Sequence, residues 1–303
     1  MQYPWNIIGH RQQLNELEHD IKTHSLGHAY LLSGSGHLGK FTIAKSLACV
    51  LACPNNLCRT CPTCAQIKNG SHIDTIEIND DGESVKIEQI RDIIARLHMT
   101  CQSDHKILLV KNIERLTPEA GNCLLKTLEE PPDKTIFIFT TSDPKEVLET
   151  IQSRMRILKF TPVPEKILFE SLQKDFPDVE SQLMEEIILL SMGKPGRAIQ
   201  LITDGESLAF FRELYQTVRN TCSNESMAEG FLTAASVSKE SAVCREFLDM
   251  LVHYVRGQLL KNPGESAGRI SILEAIQESK ALLKKNVNSK LLLENLILKL
   301  GNR

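Results

Sequence analysis

A glycine-rich stretch near the N-terminus restricts the fold of this chain more than any other feature of its sequence. Residues 34–42 read GSGHLGKFT, between the apolar run HAYLLS and the helical pattern IAKSLACVLA. Gly34, Gly39 and Lys40 have the G-x-x-x-x-G-K spacing of a phosphate-binding P-loop, in which backbone N–H groups and the start of a helix face phosphate. A strand, such a loop and a helix in succession predict an α/β fold built on a P-loop.

Strand-like and helical patterns alternate up to about Phe160. Apolar β-rich runs occur in DTIEI, KILLVKN and TIFIFTTS, and IEQIRDIIARLHM and PEAGNCLLKTLEE have apolar residues at helical spacing. This alternation predicts a parallel sheet with helices on both faces. The two prolines of TPVPEK, residues 161–166, then interrupt regular structure, and only helical patterns follow.

The 303 residues are enough for two or three domains. We expect an α/β core domain at 1–162 that carries a cysteine-rich insert at about 49–70. A small helical domain is expected at 163–203, where GKPGRA interrupts the helices, and a separate all-α domain at 204–303.

The P-loop lacks the residue that would bind magnesium. Phe41 occupies the place of the Ser or Thr hydroxyl, and Thr42 comes one residue late, about 100° further around the helix. The apolar run at 107–110 ends in Lys111-Asn112, where a hydrolysing site has Asp-Glu. We therefore expect no magnesium in this site and no hydrolysis by it.

The sequence leaves open whether the loop binds nucleotide. The residues that would hold it are Gly34, Gly36, Gly39, Lys40 and Thr42. The glycines and the lysine keep the means of contacting phosphate, but the hydroxyl is lost, so ATP held without turnover and an empty loop are both compatible with these residues. Glu114 and Asp143 are the acidic residues nearby in sequence that could replace the missing carboxylates.

Four cysteines are concentrated in the insert, at Cys53, Cys58, Cys61 and Cys64. Overlapping C-x-x-C units bring sulfur atoms to one centre, and four thiolates complete the tetrahedral coordination of zinc. The spacing predicts a structural zinc site, since four protein ligands leave no open position for water. Disulfide pairing and a redox-active dithiol are the alternatives. A reducing compartment disfavours disulfides, and a redox dithiol predicts one C-x-x-C unit instead of two that share Cys61.

Composition limits the classes of partner. The formal net charge is −3 and the isoelectric point is about 6.3, which argues against a surface that grips nucleic acid throughout. The N-terminal segment lacks the features of a secretory signal, and no apolar stretch reaches the ~18 residues of a membrane span. We expect a cytoplasmic protein with no membrane partner.

Several motifs together resemble one known family. The P-loop region, the four-cysteine insert, KILLVKNIERLT, NCLLKTLEEPP, FIFTTSDP and TIQSRMRILKF are similar to the bacterial clamp-loader AAA+ subunits of DNA polymerase III. The resemblance covers residues 1 to about 200. It implies an AAA+ core, a helical lid and an all-α C-terminal collar domain. It also implies a hetero-oligomer with clamp-loader subunits of the gamma/tau and delta types, which meets primer-template DNA and the sliding clamp through the assembly.

The resemblance also implies roles for two arginines. Ser153-Arg154-Met155 stands in the place of the family's Ser-Arg-Cys motif, whose arginine reaches the ATP site of a neighbouring subunit. Arg154 is therefore implied to be an arginine finger acting in trans, with an exposed arginine in a salt bridge as the alternative. Arg197 of GKPGRA matches the sensor 2 arginine of the lid and is thereby implied to be a further residue of the nucleotide site, with an exposed arginine at a helix start as its alternative. Thr141-Ser142 matches the sensor 1 region.

The sequence thus favours a non-hydrolysing clamp-loader subunit that supplies Arg154 to a neighbour. An active motor subunit of the gamma/tau type is one alternative, and Phe41, Lys111 and Asn112 argue against it. A zinc-bearing nucleic-acid-binding protein that acts alone is the other, and the acidic balance of the chain argues against that.

Overall fold

The computed structural model describes residues 3–79, 82–223, 227–261, 266–285 and 287–301. The chain divides into two compact units. One consists of residues 1–178 together with 193–197, and the other of residues 179–192 together with 198–303. The domain boundaries predicted from the sequence, after 162 and after 203, stay predictions, and short stretches of the predicted 204–303 domain lie outside the described residues.

The first unit contains a five-stranded sheet in which every pair of neighbouring strands is parallel. The strands are β1 (Ala29–Ser33), β2 (Thr75–Ile78), β3 (Lys106–Val110), β4 (Thr135–Thr141) and β5 (Arg156–Lys159). Their order across the sheet is β2-β3-β4-β1-β5. The parallel sheet predicted from the alternation of strand-like and helical runs is confirmed.

Helices cover both faces of this sheet. They are α1 (Arg11–Lys22), α2 (Lys40–Ala52), α3 (Pro62–Asn69), α4 (Ile87–Leu97), α5 (Pro118–Glu129) and α6 (Glu149–Gln152), and α7 (Glu165–Asp175) follows β5. Short 3-10 turns lie at Ile113–Arg115 and Pro144–Glu146.

The two faces of the sheet bury alternate residues of each strand, as the two-residue period of a strand requires. Leu32 and Ile138 belong to the core that also contains buried residues of α1, α2 and α3. Leu31, Phe137 and Phe139 belong to the core beneath α4, α5 and α6. Because both faces are buried, the strands read as continuous apolar runs, which is why the sequence reveals them.

The parallel arrangement brings three strand ends to one edge of the sheet. Ser33 at the end of β1 is aligned with Thr141 at the end of β4, and Val110 at the end of β3 is aligned with Phe139. The P-loop, the Lys111-Asn112 pair and Ser142 therefore all follow strands at the carboxyl edge, where open α/β sheets place their ligand sites.

The second unit is helical throughout the part of it that the structure describes. Its helices are α8 (Ser181–Ser191), α10 (Gly205–Ser223), α11 (Met227–Val237), α12 (Ser241–Lys261), α13 (Ser266–Leu283) and α14 (Ser289–Gly301), and α9 (Pro195–Thr203) precedes α10. Gly230 lets α11 approach α14 closely, since a Cβ atom there would lie 2.6 Å from Cγ2 of Ile297. Among the described residues, no helix combines the length and the apolar character needed to cross a bilayer.

Candidate functional site: a P-loop, a four-cysteine cluster and an exposed arginine

Two glycines give the P-loop its backbone path. Gly34 has φ +155°, and a Cβ atom there would lie 2.4 Å from the carbonyl oxygen of Phe160. Gly39 has φ +85° and forms the N-cap of α2, a left-handed conformation that favours glycine. Gly36 differs from both, since an added Cβ would meet nothing within 4 Å. The loop therefore needs glycine at its two ends.

Lys40 is the first residue of α2, and its side chain folds back over the loop. Its Nζ donates to the carbonyl oxygens of Gly34, at 2.5 Å, and Ser35, at 2.7 Å. Burial lowers the pKa of Lys40 to about 8, an effect that Glu114 opposes and Lys194 increases. The ammonium thus lies inside the loop, in the region where a phosphate group would be held.

The residue directly after Lys40 has no hydroxyl to offer this region. Phe41 is partly buried and packs against the core on the α1–α2 side of the sheet. The ammonium of Lys45 lies 5.3 Å from the centre of the Phe41 ring, which is within the range of a cation–π contact. Thr42 is exposed. The side chain at position 41 is therefore part of the packing of α2 against the core.

After β3, a carboxylate close to the loop comes from Glu114, since the two residues that directly follow the strand are Lys111 and Asn112. Oε1 of Glu114 accepts hydrogen bonds from the backbone N–H of Ser142, at 2.9 Å, and from its hydroxyl, at 2.6 Å. The charge of Glu114 is close enough to raise the pKa of Lys40. The Thr141 hydroxyl accepts a hydrogen bond from the backbone N–H of Asp143 at 3.1 Å.

The first turn of α9 lies against the P-loop. The N–H of Gly196 donates to the carbonyl oxygen of His37 at 2.8 Å, and a Cβ atom on Gly196 would lie 2.9 Å from that oxygen. Arg197 in the same turn is only 2% exposed, so the alternative of an exposed arginine does not describe it. Partial burial and the surrounding cations lower the pKa of His37 to about 4; the cations are Arg197, Lys194, Lys40 and Lys111. The loop therefore lies in a strongly positive environment.

The four cysteines of the insert form one cluster. The Sγ atoms of Cys53, Cys58, Cys61 and Cys64 all lie within 4.8 Å of one another. Cys53 Sγ lies 3.6 Å from the Sγ atoms of Cys58 and Cys61. Sulfur atoms bound tetrahedrally at about 2.3 Å from zinc are about 3.8 Å apart, so this arrangement could hold zinc.

The local backbone positions the cysteines of the cluster and shifts the pKa values of their thiols. Cys61 is the N-cap of α3, with Pro62 as the first helical residue, and this places Cys64 one turn further on. Hydrogen bonds from the backbone of Thr60 and Cys61 lower the pKa of the Cys58 thiol to about 6, whereas burial raises the pKa of Cys64. Cys49, which the sequence places on the buried face of α2, is buried there.

The cysteine-rich insert is tied to the N-terminal segment. The Arg59 guanidinium donates to the carbonyl oxygens of Pro4, at 2.9 Å, and Trp5, at 2.5 Å. The Trp5 indole in turn donates to Oε1 of Glu18 at 2.9 Å. The insert is therefore in direct contact with Trp5, the one tryptophan of the chain.

Arg154 lies between α6 and β5, and its described contacts are away from the P-loop. Nε and Nη2 both donate to Oε1 of Glu129, at 3.0 and 2.5 Å. Nη1 donates to the carbonyl oxygen of Thr150 at 2.7 Å. The side chain is 34% exposed and that of Glu129 is 48% exposed. The salt bridge that the sequence leaves open as an alternative is present in the structure.

Comparison with known proteins identifies the family. The sequence profile described as "DNA polymerase III, delta subunit" matches residues 9–164, just over half of the chain. The chain belongs to the clamp-loader subunit family of DNA polymerase III. The resemblance seen in the sequence motifs is thereby confirmed, and the AAA+ fold with it.

Two curated relatives illustrate how this clamp-loader subunit compares with others. It is 32% identical over 210 residues to DNA polymerase III subunit gamma of Buchnera aphidicola, which covers 66% of this chain and 58% of the relative. It is 30% identical over 211 residues to subunit delta' of Pseudomonas aeruginosa, which covers 67% of this chain and 62% of the relative. The chain thus spans less than two thirds of either relative.

A solved structure extends the comparison to the whole fold. The gamma subunit-related protein of Thermotoga maritima superposes with a TM-score of 0.51 at 21% identity, over 95% of this chain and 99% of that one. At this level of identity the likeness concerns the fold alone.

The structure brings some of the predicted residues together and separates others. Gly34, Gly39 and Lys40 form one loop, Arg197 lies beside it, and Arg154 contacts a different part of the core. Sequence reasoning missed Lys194 and Glu129. For Glu129, the signal was its place in the NCLLKTLEEPP motif; the sequence contains no signal for Lys194 other than its place in GKPGRA.

Proposed function

We propose that this chain is a subunit of the delta-prime type, a non-hydrolysing AAA+ member of the DNA polymerase III clamp loader. It supplies Arg154 in trans to the ATP site of a neighbouring subunit of the gamma/tau type. Through the assembly, which also contains a delta-type subunit, it takes part in loading the sliding clamp onto primer-template DNA. Because the chromosome is replicated there, the proposal places the protein in the cytoplasm.

The observation that carries this proposal is that a phenylalanine, packed against the core, occupies position 41. Phe41 packs against the core and has no hydroxyl, and Thr42, one residue past the motif position, is exposed. Lys111 adds a positive charge at the end of β3, near His37, where a hydrolysing site has a carboxylate for magnesium. A site with these residues is suited to contacts with anions and poorly suited to a divalent cation.

Arg154 supports the second part of the proposal. It is partly exposed at the surface of the core, and a guanidinium can stabilise the charge that builds on a transferring phosphoryl group.

The test of the finger role is ATP hydrolysis by an assembly reconstituted with partner subunits. Arg154→Ala is expected to slow hydrolysis at the neighbouring site by about 10³-fold or more. Arg154→Lys keeps the charge and loses the planar fork, so it is expected to restore little; an unchanged rate in both variants would contradict the finger role.

The proposal includes a structural zinc ion bound by the four cysteines. When bound, zinc would connect the loop at 53–61 to the start of α3, and four thiolates would leave it no position for a substrate. The sulfur positions and the N-cap at Cys61 support this assignment.

Two observations favour a second candidate, an ATPase of the gamma/tau type. Glu114 brings a carboxylate near Lys40, and the Buchnera relative that shares 32% identity is named as a gamma subunit. If Glu114 takes over the missing acidic role, the isolated chain hydrolyses ATP and Glu114→Gln abolishes the activity. Under the first proposal, the isolated chain shows background turnover with or without this substitution.

A further inference from the structure

The guanidinium of Arg154 is almost fully occupied by its own chain. Nε and Nη2 donate to Glu129, and Nη1 donates to the carbonyl oxygen of Thr150 and to the Ser153 hydroxyl, at 2.7 and 3.1 Å. An arginine has five N–H donors, and these four contacts leave one of them, on Nη2. Arg154 therefore cannot offer the two-donor Nε–Nη2 edge to a phosphate group while it keeps Glu129.

The packing of two helices positions this pair. Glu129 is the last residue of α5, and Arg154 lies two residues after the end of α6. Gly121 of α5 lies against α6, since a Cβ atom there would be 3.0 Å from Cδ1 of Leu148 and 3.2 Å from Cδ1 of Ile151. Because Ile151 is buried in the core, the packing of α6 on α5 is part of the core. The Glu129 carboxylate and the Arg154 guanidinium face each other beside this helix contact.

The contact is nevertheless easy to exchange. Both side chains are exposed to a substantial degree, and an exposed ion pair shifts an equilibrium by a factor of at most about five. A phosphoryl group offers more negative charge and more acceptor oxygens than one carboxylate, and it matches the guanidinium fork. A correctly placed phosphate would therefore displace Glu129, while water or a distant phosphate would not.

We propose that Glu129 is a latch for Arg154. Its carboxylate occupies the Nε–Nη2 edge of the guanidinium, which the phosphoryl group in the neighbouring subunit would otherwise bind. Arg154 acts as a finger once that phosphoryl group has displaced the carboxylate. The latch rests on the proposed function of Arg154 and adds a means of regulating it. In this role Glu129 is a positioning residue, because it acts through Arg154 and touches no substrate.

The test uses the assembly reconstituted with partner subunits, measured without DNA or sliding clamp. Glu129→Gln keeps the shape of the side chain and removes its charge, and it is expected to raise kcat for ATP by about two- to fivefold. The KM for ATP stays unchanged, since ATP binds in the neighbouring subunit's own loop. Glu130→Gln removes the same charge one residue later, at an exposed position, and serves as the matched control with no expected change.

Two further measurements separate a latch from a general effect. In the Arg154→Ala background, Glu129→Gln should have no effect on kcat, because the latch has nothing to hold. In the isolated chain, nitrogen-15 NMR should show slow exchange of the Arg154 Nε–H with water, and Glu129→Gln should make it faster. An Nε–H that exchanges equally fast in both proteins would contradict the contact itself.

The outcomes distinguish the latch from the function on which it rests. If Arg154→Ala slows hydrolysis while Glu129→Gln leaves kcat unchanged or lowers it, the latch is wrong and the finger role stands. If Arg154→Ala leaves the rate unchanged, the finger role and the latch both fail.

Discussion

The ammonium of Lys45 lies over the ring of Phe41, 5.3 Å from its centre, one turn further along α2. The same lysine forms a 3.0 Å salt bridge with the almost fully buried carboxylate of Glu77 and donates to the carbonyl oxygen of Lys68 in α3. The residue that replaces the magnesium ligand is thus part of the contact between α2, α3 and the sheet.

Restoring the hydroxyl alone should therefore cost stability without producing an ATPase. Phe41→Ser removes a partly buried ring, and we expect a loss of about 1–3 kcal/mol in the free energy of unfolding, measured with urea. Magnesium-dependent turnover stays at background, because Lys111 and Asn112 are unchanged. Phe41→Leu, which keeps most of the packing, is the control; ATP hydrolysis by Phe41→Ser would show that the rest of the site is intact.

Gly34 and Gly36 of the P-loop should differ in their tolerance of alanine. At Gly34 a Cβ atom would lie 2.4 Å from the carbonyl oxygen of Phe160, in a backbone conformation that L-residues rarely adopt. We expect Gly34→Ala to lower the free energy of unfolding by about 2–4 kcal/mol. Gly36→Ala meets nothing within 4 Å and should change it by less than about 1 kcal/mol. Equal losses in urea unfolding would contradict the loop geometry.

Metal analysis should find about one zinc per chain, and its removal should be visible at Trp5. Arg59 in the insert donates to the carbonyl oxygen of Trp5, so unfolding of the insert by a chelator is expected to shift the tryptophan emission. Cys58→Ser removes one of the four ligands and should also lower the zinc content. Cys123→Ser, a half-buried thiol in α5, is the control and should bind zinc like the unmodified chain. A purified protein without metal would end this assignment.

The buried amine of Lys40 should make stability depend on pH. Its pKa is lowered from 10.5 to about 8, mainly by burial. Between these values the unfolded chain binds more protons than the folded one, so the contribution of Lys40 to stability rises with pH. Relative to the unmodified chain, Lys40→Met is expected to be more stable at pH 7, by up to about 3 kcal/mol, and to lose this advantage towards pH 10.

Urea unfolding followed through Trp5 at both pH values measures that difference. Lys166→Met, at an exposed position, is the matched control and should show no such change with pH. An advantage of Lys40→Met that stays constant from pH 7 to pH 10 would mean that the amine is not desolvated.

The strands and the P-loop could be predicted because their signals are local. KILLV and TIFIFTT read as buried strands since each is covered on both faces, and Gly34, Gly39 and Lys40 lie within seven consecutive residues. The cysteine cluster is also local, because its four ligands lie within one loop and the first turn of α3.

Contacts between distant parts of the chain could not be predicted in the same way. The sheet order β2-β3-β4-β1-β5 depends on the crossovers, and the pairing of Arg154 with Glu129 depends on the packing of α6 on α5. The burial of Arg197 beside His37 joins residues 160 positions apart, and periodicity in the sequence contains no information on such a contact.

The most direct test of the whole account is the rate of ATP hydrolysis by the purified chain alone, with magnesium, compared with that of its Lys40→Ala variant. We predict that both proteins show only background turnover, because the proposed function places the catalytic contribution of this subunit in the site of a neighbour. Turnover well above background in the unmodified chain that disappears in Lys40→Ala would contradict the account, since it would show that this P-loop hydrolyses ATP by itself.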